Sequence, residues 1–214
     1  MNGYAFTLGP AALIALPGRA LFWPDRRLLI VSDLHLGKSE RMARRGGALL
    51  PPYDTAATLA RLDADLQMTG AQSVICLGDS FDDTAAGGAL CDEDHTTLSS
   101  LMQGRDWTWV LGNHDPHPAG FGGQHCDELT LDGITLRHIA GLSEGPEISG
   151  HYHPKTRLAG QARACFVTDG TRLIMPAYGA YTGGLWCDAP AIAGLFGAGA
   201  VAILTGKSAV AVPL

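Results

Sequence analysis

The sequence predicts an α/β fold of two stacked sheets flanked by helices, and three observations carry that expectation. The first half alternates short apolar runs with a helical pattern, as βαβ units do. Its strand-like runs LLIVS (28–32), SVICLGD (73–79) and WTWVLG (107–112) each end in polar residues. The second half changes to hairpins, announced by an Asp132-Gly133 pair inside ELTLDGITLRH.

The elements follow in order. Two strands are expected near the N-terminus, ahead of the run at 28–32. Residues 54–69, DTAATLARLDADLQMT, place Leu59, Leu62 and Leu66 at helical spacing, with Asp54 as the N-cap and Gly70 as the stop. A second helix is expected at 92–103, between the strands at 73–79 and 107–112. Short β runs then continue at FVTDGTRLIMP and at AVAILTGKSAVAVPL, where TGKS supplies a turn. No repeat or low-complexity linker interrupts the chain, so residues 1–214 are expected to form one domain.

Composition narrows the function classes. The chain has 214 residues, 46% hydrophobic and 17% charged, which excludes a disordered chain. Its formal net charge of −6 argues against holding nucleic acid through a basic surface as a whole. Phosphate chemistry here would need positive charge brought in, and bound metal is the obvious source. One basic cluster, Lys38, Arg41, Arg44 and Arg45, reads either as a solvated helix face or as a phosphate contact. The five cysteines lack CxxC spacing, so neither a disulfide framework nor a zinc-thiolate site is expected. The N-terminal stretch has no basic n-region, and its short apolar run is broken by Pro17 and Gly18. A cytoplasmic protein without a membrane span is the expectation.

Ligands of open α/β sheets bind beyond the carboxyl ends of the strands. There the chain places Asp33-Leu34-His35, Gly78-Asp79, and Gly112-Asn113-His114-Asp115. His138 follows at the end of the hairpin, and His151-Tyr152-His153 follows Gly150. Carboxylate and amide oxygens with imidazoles suit divalent manganese first, with iron, zinc or nickel as alternatives. Asp-x-His and His-x-His spacing would set both side chains on one face of an extended segment. Each piece alone is weak, since Asp and Asn also end strands and build turns; five in order, all at strand ends, are not. His95, His117 and His125 fall outside the series and are read as surface or loop residues.

The ordered series DxH, GD, GNHD, H, GHxH resembles the calcineurin-like metallophosphoesterase superfamily. The resemblance implies a four-layer α/β/β/α sandwich of two mixed sheets. It implies one metal held by Asp33, His35, Asp79 and His153, and a second held by Asp79, Asn113, His138 and His151. It further implies that His114 contacts the phosphate and protonates the leaving oxygen, with Asp115 orienting it. SDLHLGK, GDSFDD, GHYHP and LIMPAYGAYTGG are similar to the ligase-associated DNA damage response endonucleases, the PdeM group. That similarity implies a phosphodiester substrate in DNA, and functional association with a DNA ligase, a helicase and an exonuclease. RMARRGG would then meet the nucleic-acid backbone, and Tyr178, Tyr181 or Trp186 would offer stacking surfaces. The alternatives are a small-molecule phosphodiesterase or pyrophosphohydrolase like the UDP-diacylglucosamine hydrolases, or a non-catalytic scaffold. Asn-His where those hydrolases commonly have Asn-Arg, and the absence of a long apolar lid insertion, stand against the first; intact His114 stands against the second.

Overall fold

A computed structural model describes residues 2–47, 49–117, 120–141 and 145–214. The first sheet holds β1 (Tyr4–Leu8), β2 (Ala11–Ala15), β3 (Leu21–Trp23), β4 (Leu28–Val31), β5 (Ser73–Leu77), β6 (Asp106–Val110) and β7 (Gln124–Cys126), in that spatial order. Strands β1 to β4 pair antiparallel, and β4 to β7 pair parallel. All four residues of β4 are buried, as expected of a strand covered on both faces.

The second sheet is built from β8 (Glu128–Leu131), β9 (Ile134–Arg137), β10 (Glu147–Ser149), β11 (Lys155–Leu158), β12 (Gln161–Thr168), β13 (Arg172–Ile174), β14 (Val201–Leu204) and β15 (Val210–Pro213). Its order is β15-β14-β12-β13-β10-β9-β8, with β11 paired to β12. The β8–β9 turn uses Asp132 and Gly133 at φ 49° and 77°, the two positive values a type I′ hairpin requires. This sheet is mixed rather than purely antiparallel, because β10 runs parallel to both β9 and β13.

Three apolar layers result. Leu13, Leu28, Ile30, Ile75 and Val110 of the first sheet pack against Ile134, Leu136, Ile148, Phe166 and Ile203 of the second. The opposite face of the first sheet, with Leu29, Val31, Val74 and Trp107, is covered by two helices. Of the chain's helices α1 (Lys38–Arg44), α2 (Asp54–Thr69), α3 (Ala86–Ala89), α4 (Asp92–Met102) and α5 (Pro190–Ala193), those two are α2, through Leu59, Leu62 and Leu66, and α4, through Leu98 and Leu101. On the far side of the second sheet, Cys187 and Phe196 flank the single turn of α5 and pack on Cys165, Val167, Ala202 and Leu204. The fourth layer of the expected sandwich is therefore thin.

Helix α2 ends as expected, with Gly70 at φ 62° returning its N–H to the Leu66 carbonyl at 2.9 Å. Its start differs: Tyr53 occupies the cap, and the Asp54 carboxylate accepts from the Ser39 amide and hydroxyl instead. Asp54 thereby ties α2 to α1. No helix among the described residues is long and apolar enough to cross a membrane.

Candidate metal centre

The carboxyl ends of β4, β5 and β6 deliver the predicted residues to one edge. The chain leaving β4 runs beside the chain leaving β5: the Asp33 amide donates to the Gly78 carbonyl (3.1 Å), and His35 to that of Asp79 (2.9 Å). Beyond β9, the Gly150 amide donates to the His138 carbonyl at 2.9 Å, which brings the His151–His153 turn to the same place.

The local conformation departs from the extended one that the Asp-x-His spacing predicts. Asp33, His35, Asp79, His151 and His153 all have positive φ, between 47° and 69°. They are five of the ten described non-glycine residues in that region. Each such residue costs about 1–3 kcal/mol, so the surrounding hydrogen bonds must hold these bends. Successive left-handed bends, rather than the alternation of a strand, aim each pair of side chains inward.

Three donor groups form among the described residues, one of them His35, Asp82 and His114, and the other two built from predicted ligands alone. Asp33, His35 and His153 bring one ligand atom each to within 4.8 Å of one another, and so do Asp79, His138 and His151. Asn113 joins the second group, its Oδ1 standing 3.0 Å from His138 Nε2. Asp33 lies between the groups, with Oδ1 3.0 Å from His153 Nε2 and 3.9 Å from His138 Nδ1. All seven predicted ligands thus meet at one place.

The donor chemistry fits a pair of divalent cations. His138 donates its Nδ1 proton to the Leu77 carbonyl at 3.0 Å, which directs Nε2 into the site. Around Nε2 stand Asn113 Oδ1 at 3.0 Å, His151 Nδ1 at 3.3 Å and Asp79 Oδ2 at 3.4 Å. A single N–H cannot satisfy three acceptors, whereas a cation among them would. In the other group, the buried Nε2 of His35 has no hydrogen-bond partner, a costly state for an imidazole closed off from water, while that of His153 faces the Asp33 carboxylate.

Electrostatics agree. Burial raises the Asp79 carboxyl, but His138 and the His114 amide outweigh it and hold the group at about 2. Burial lowers His138, but Asp79 and Asp33 overcome it and lift the imidazole to about 9. His151 is lowered, by burial first and by His138 second. A pocket that forces a proton onto one histidine has an unmet demand for positive charge.

Asp115 does not orient His114. Its carboxylate accepts from the amides of Asp79 (3.0 Å), Ser80 (2.8 Å), Phe81 (3.1 Å) and Gly112 (3.0 Å), and so fixes the turn that carries Asp79. His114 is held by Asp82, whose main-chain carbonyl lies 2.8 Å from Nδ1. The Asp82 side chain, fully buried, places Oδ1 2.9 Å from His35 Nδ1 and 3.6 Å from Lys38 Nζ, and pairs with Arg41. Asp82 is the residue at the site that the sequence did not single out. Its signal was present in GDSFDD, three residues after a ligand, but carboxylates near a glycine turn are too common to single out.

The basic cluster and the aromatics also differ from expectation. Arg41 pairs with Asp82, and Arg44 and Arg45 both pair with Asp83, so the charge of RMARRGG is largely answered within the protein. Tyr178 is fully buried, its hydroxyl donating to Asp65 at 2.9 Å, and cannot stack on a base. The face of Trp186 is covered by Arg157 at 4.0 Å and Lys155 at 4.7 Å. Tyr181 remains exposed. His125 lies on β7 and is half-buried, its Nε2 3.3 Å from the Phe121 carbonyl, while His95 packs against the Phe121 ring from the exposed face of α4.

The LIMPAYGAYTGG segment braces the centre from behind. The amides of Tyr178 and Gly179 donate to the Ser32 and Asp33 carbonyls, at 2.8 and 3.1 Å. A Cβ at Gly179 would run into the Leu34 carbonyl, and one at Gly184 into that of His153.

Comparison with known proteins points to one family. Residues 26–161 match the family described as calcineurin-like phosphoesterases. Among solved structures, a Pseudomonas putida nuclease MPE is similar over 100% of both chains, with 28% sequence identity and a TM-score of 0.77. No curated protein matches the sequence.

Proposed function

Because the chain belongs to the calcineurin-like phosphoesterase family, a family of metal-dependent phosphoester hydrolases, we propose that it cleaves phosphodiester bonds in DNA. The single observation that carries the reading is the convergence of seven donor side chains on one edge, with His114 anchored beside them. Its similarity in fold and sequence to a nuclease supports nucleic acid as the substrate.

Asp33, His35, Asp79 and His153 would hold one divalent ion, and Asp79, Asn113, His138 and His151 the other. Manganese is the proposed metal, since mixed carboxylate, amide and imidazole donors suit it. When bound, such a pair supplies positive charge for the phosphoryl oxygens and lowers the pKa of a coordinated water. The chain's own residues do the rest. Asp115 fixes the Asp79 turn through four amides, Asp82 fixes the His35 and His114 rings, and His114 Nε2 delivers a proton to the departing oxygen. The resemblance to the ligase-associated group supports a proposed role in DNA repair, in functional association with a ligase, a helicase and an exonuclease. A cytoplasmic address belongs to the same reading. Residues 1–214 are proposed as one domain, because the two sheets share an apolar layer.

Nicking of single-stranded and gapped DNA with manganese is the decisive assay. Cleavage that disappears in Asp79→Ala and His114→Ala supports the reading. Hydrolysis of bis-p-nitrophenyl phosphate with no cleavage of any DNA would assign the enzyme to small diesters instead.

A further inference from the structure

A groove leads away from the metal centre on the His153 side. Its narrow part, about 150 Å³, is lined by His153, Lys155, Arg19, Arg163 and Thr182. It opens into a wider trough of about 800 Å³ that shares Arg19 and Arg163 and adds Arg61 and Lys207. Among the described residues, the five charged side chains lining this path (Arg19, Arg61, Lys155, Arg163 and Lys207) are all basic, and no carboxylate joins them. They are a third of the fifteen Lys and Arg in a chain whose net charge is −6. They come from the β2–β3 turn, α2, β11, β12 and the β14–β15 turn, so only the fold assembles them.

Among the described residues, none of the five is within ion-pair distance of a carboxylate, in contrast to Arg41, Arg44 and Arg45. Two are set rigidly. Arg19, at φ 82°, donates from Nη1 to the Ala177 carbonyl at 3.2 Å, and Arg61 donates from Nη1 to the Tyr178 carbonyl. Each guanidinium keeps further N–H groups for another partner. Burial, and then the charge of Arg61, pushes Arg19 below its ordinary range, the mark of a cation without a counter-ion. Asp65, one turn along α2 from Arg61, is bound inward to the Tyr178 hydroxyl.

We propose that this groove binds the phosphodiester backbone of a single nucleic-acid strand flanking the bond cleaved at the metal centre. Unpaired guanidinium forks match phosphate oxygens in geometry and charge. A neck of about 150 Å³, below the roughly 300 Å³ at which drug-sized pockets begin, passes one backbone and not a duplex. Among the described residues no aromatic ring lines the groove, so it grips phosphates without reading bases. The strand path rests on the phosphodiesterase reading above.

The test measures binding of a cleavage-resistant phosphorothioate dT12 to the metal-loaded protein across a salt series. Arg19→Gln with Arg61→Gln removes the half-buried pair. Arg163→Gln with Lys207→Gln removes two outer charges that accept no structural load, which guards against misfolding of the first variant. Each double variant should bind about tenfold more weakly at low salt, with the slope of log K against log salt reduced by about 1.4, or 0.7 for each phosphate left without its cation. Hydrolysis of bis-p-nitrophenyl phosphate by the Arg163/Lys207 variant should remain at the wild-type rate. Unchanged affinity and slope in the Arg163/Lys207 variant, or no binding of dT12 by the wild type, overturns the groove. Failure of the wild type to hydrolyse any phosphodiester would instead remove the enzymatic reading, an outcome read independently of binding.

Discussion

His114 Nδ1 lies 2.8 Å from the main-chain carbonyl of Asp82, so the ring is held by backbone and its Nε2 is left for the substrate. An anchor of this kind does not depend on any ionisable side chain. It also separates the work of His114 from that of the seven ligands. His114→Ala should therefore lower kcat for bis-p-nitrophenyl phosphate by about 10²–10⁴-fold, the usual span for a lost general acid. Metal content, measured by elemental analysis, should stay at the wild-type value. A variant that loses metal along with activity would make His114 a ligand instead.

Asp82→Asn retains that carbonyl and removes only the carboxylate. Burial raises Asp82, but His35, Lys38 and Arg41 outweigh burial and hold the group at about 2 against an ordinary value of 3.8. A depressed carboxyl stabilises the fold above its unfolded pKa, and that contribution is lost as pH falls through the folded value. The variant should be less stable than wild type by about 3 kcal/mol at pH 7, and the gap should close between pH 4 and pH 2. Thermal unfolding at pH 7 and pH 3 reads both; a gap of constant size across that window would show that Asp82 is not acting as an anion.

Metal binding should expel a proton. In the chelated protein His138 titrates at about 9, and a metal at Nε2 competes with that proton. Apparent affinity for manganese should rise with pH up to about 9, by nearly tenfold per unit, and then level. Calorimetry in buffers of different ionisation heat should count about one proton released at neutral pH. At a hundred times the dissociation constant, the metal should stabilise the fold by about 2.7 kcal/mol, raising Tm by about 5–10 °C for a chain of this length. A pH-independent affinity would separate His138 from the metal.

Gly184→Ala tests the brace behind the centre. Its Cβ would collide with the His153 carbonyl, so the His153 bend must shift. A loss of about 1–3 kcal/mol in stability is expected, with weaker metal binding as the distinguishing effect. Gly183→Ala has open space around it and should match wild type in both measurements. Equal behaviour of the two variants would mean that the close approach at Gly184 has no effect on the site.

Features set by neighbours in the chain could be read from the sequence. The α2 stripe of Leu59, Leu62 and Leu66, its Gly70 stop, and the Asp132-Gly133 hairpin are local patterns, and each is found in place. The ligand positions were legible because the ends of parallel strands share one edge, whatever the loops between them do. Contacts across the fold were not. Asp115 stands next to His114, yet three of its four amide partners are at 79–81, some thirty-five residues away. Arg41, Arg44 and Arg45 read as free charge until the β5–α3 loop sets Asp82 and Asp83 against them. Arg19, Arg61 and Arg163 carry no pattern at all in one dimension. Even Asp33 and His35 reach the centre by bends that periodicity does not encode.

The brace formed by Tyr178, Gly179 and Gly184 sets an order of events during synthesis. Every proposed metal-donating side chain has been synthesised by residue 153, but the bends at Asp33 and His153 gain their contacts with Tyr178, Gly179 and Gly184 only about 25 to 31 residues later. Since chains emerge from the N-terminus onward, a nascent polypeptide carries all its donors before it can hold them in place. The brace therefore joins the site only with the last sixth of the chain.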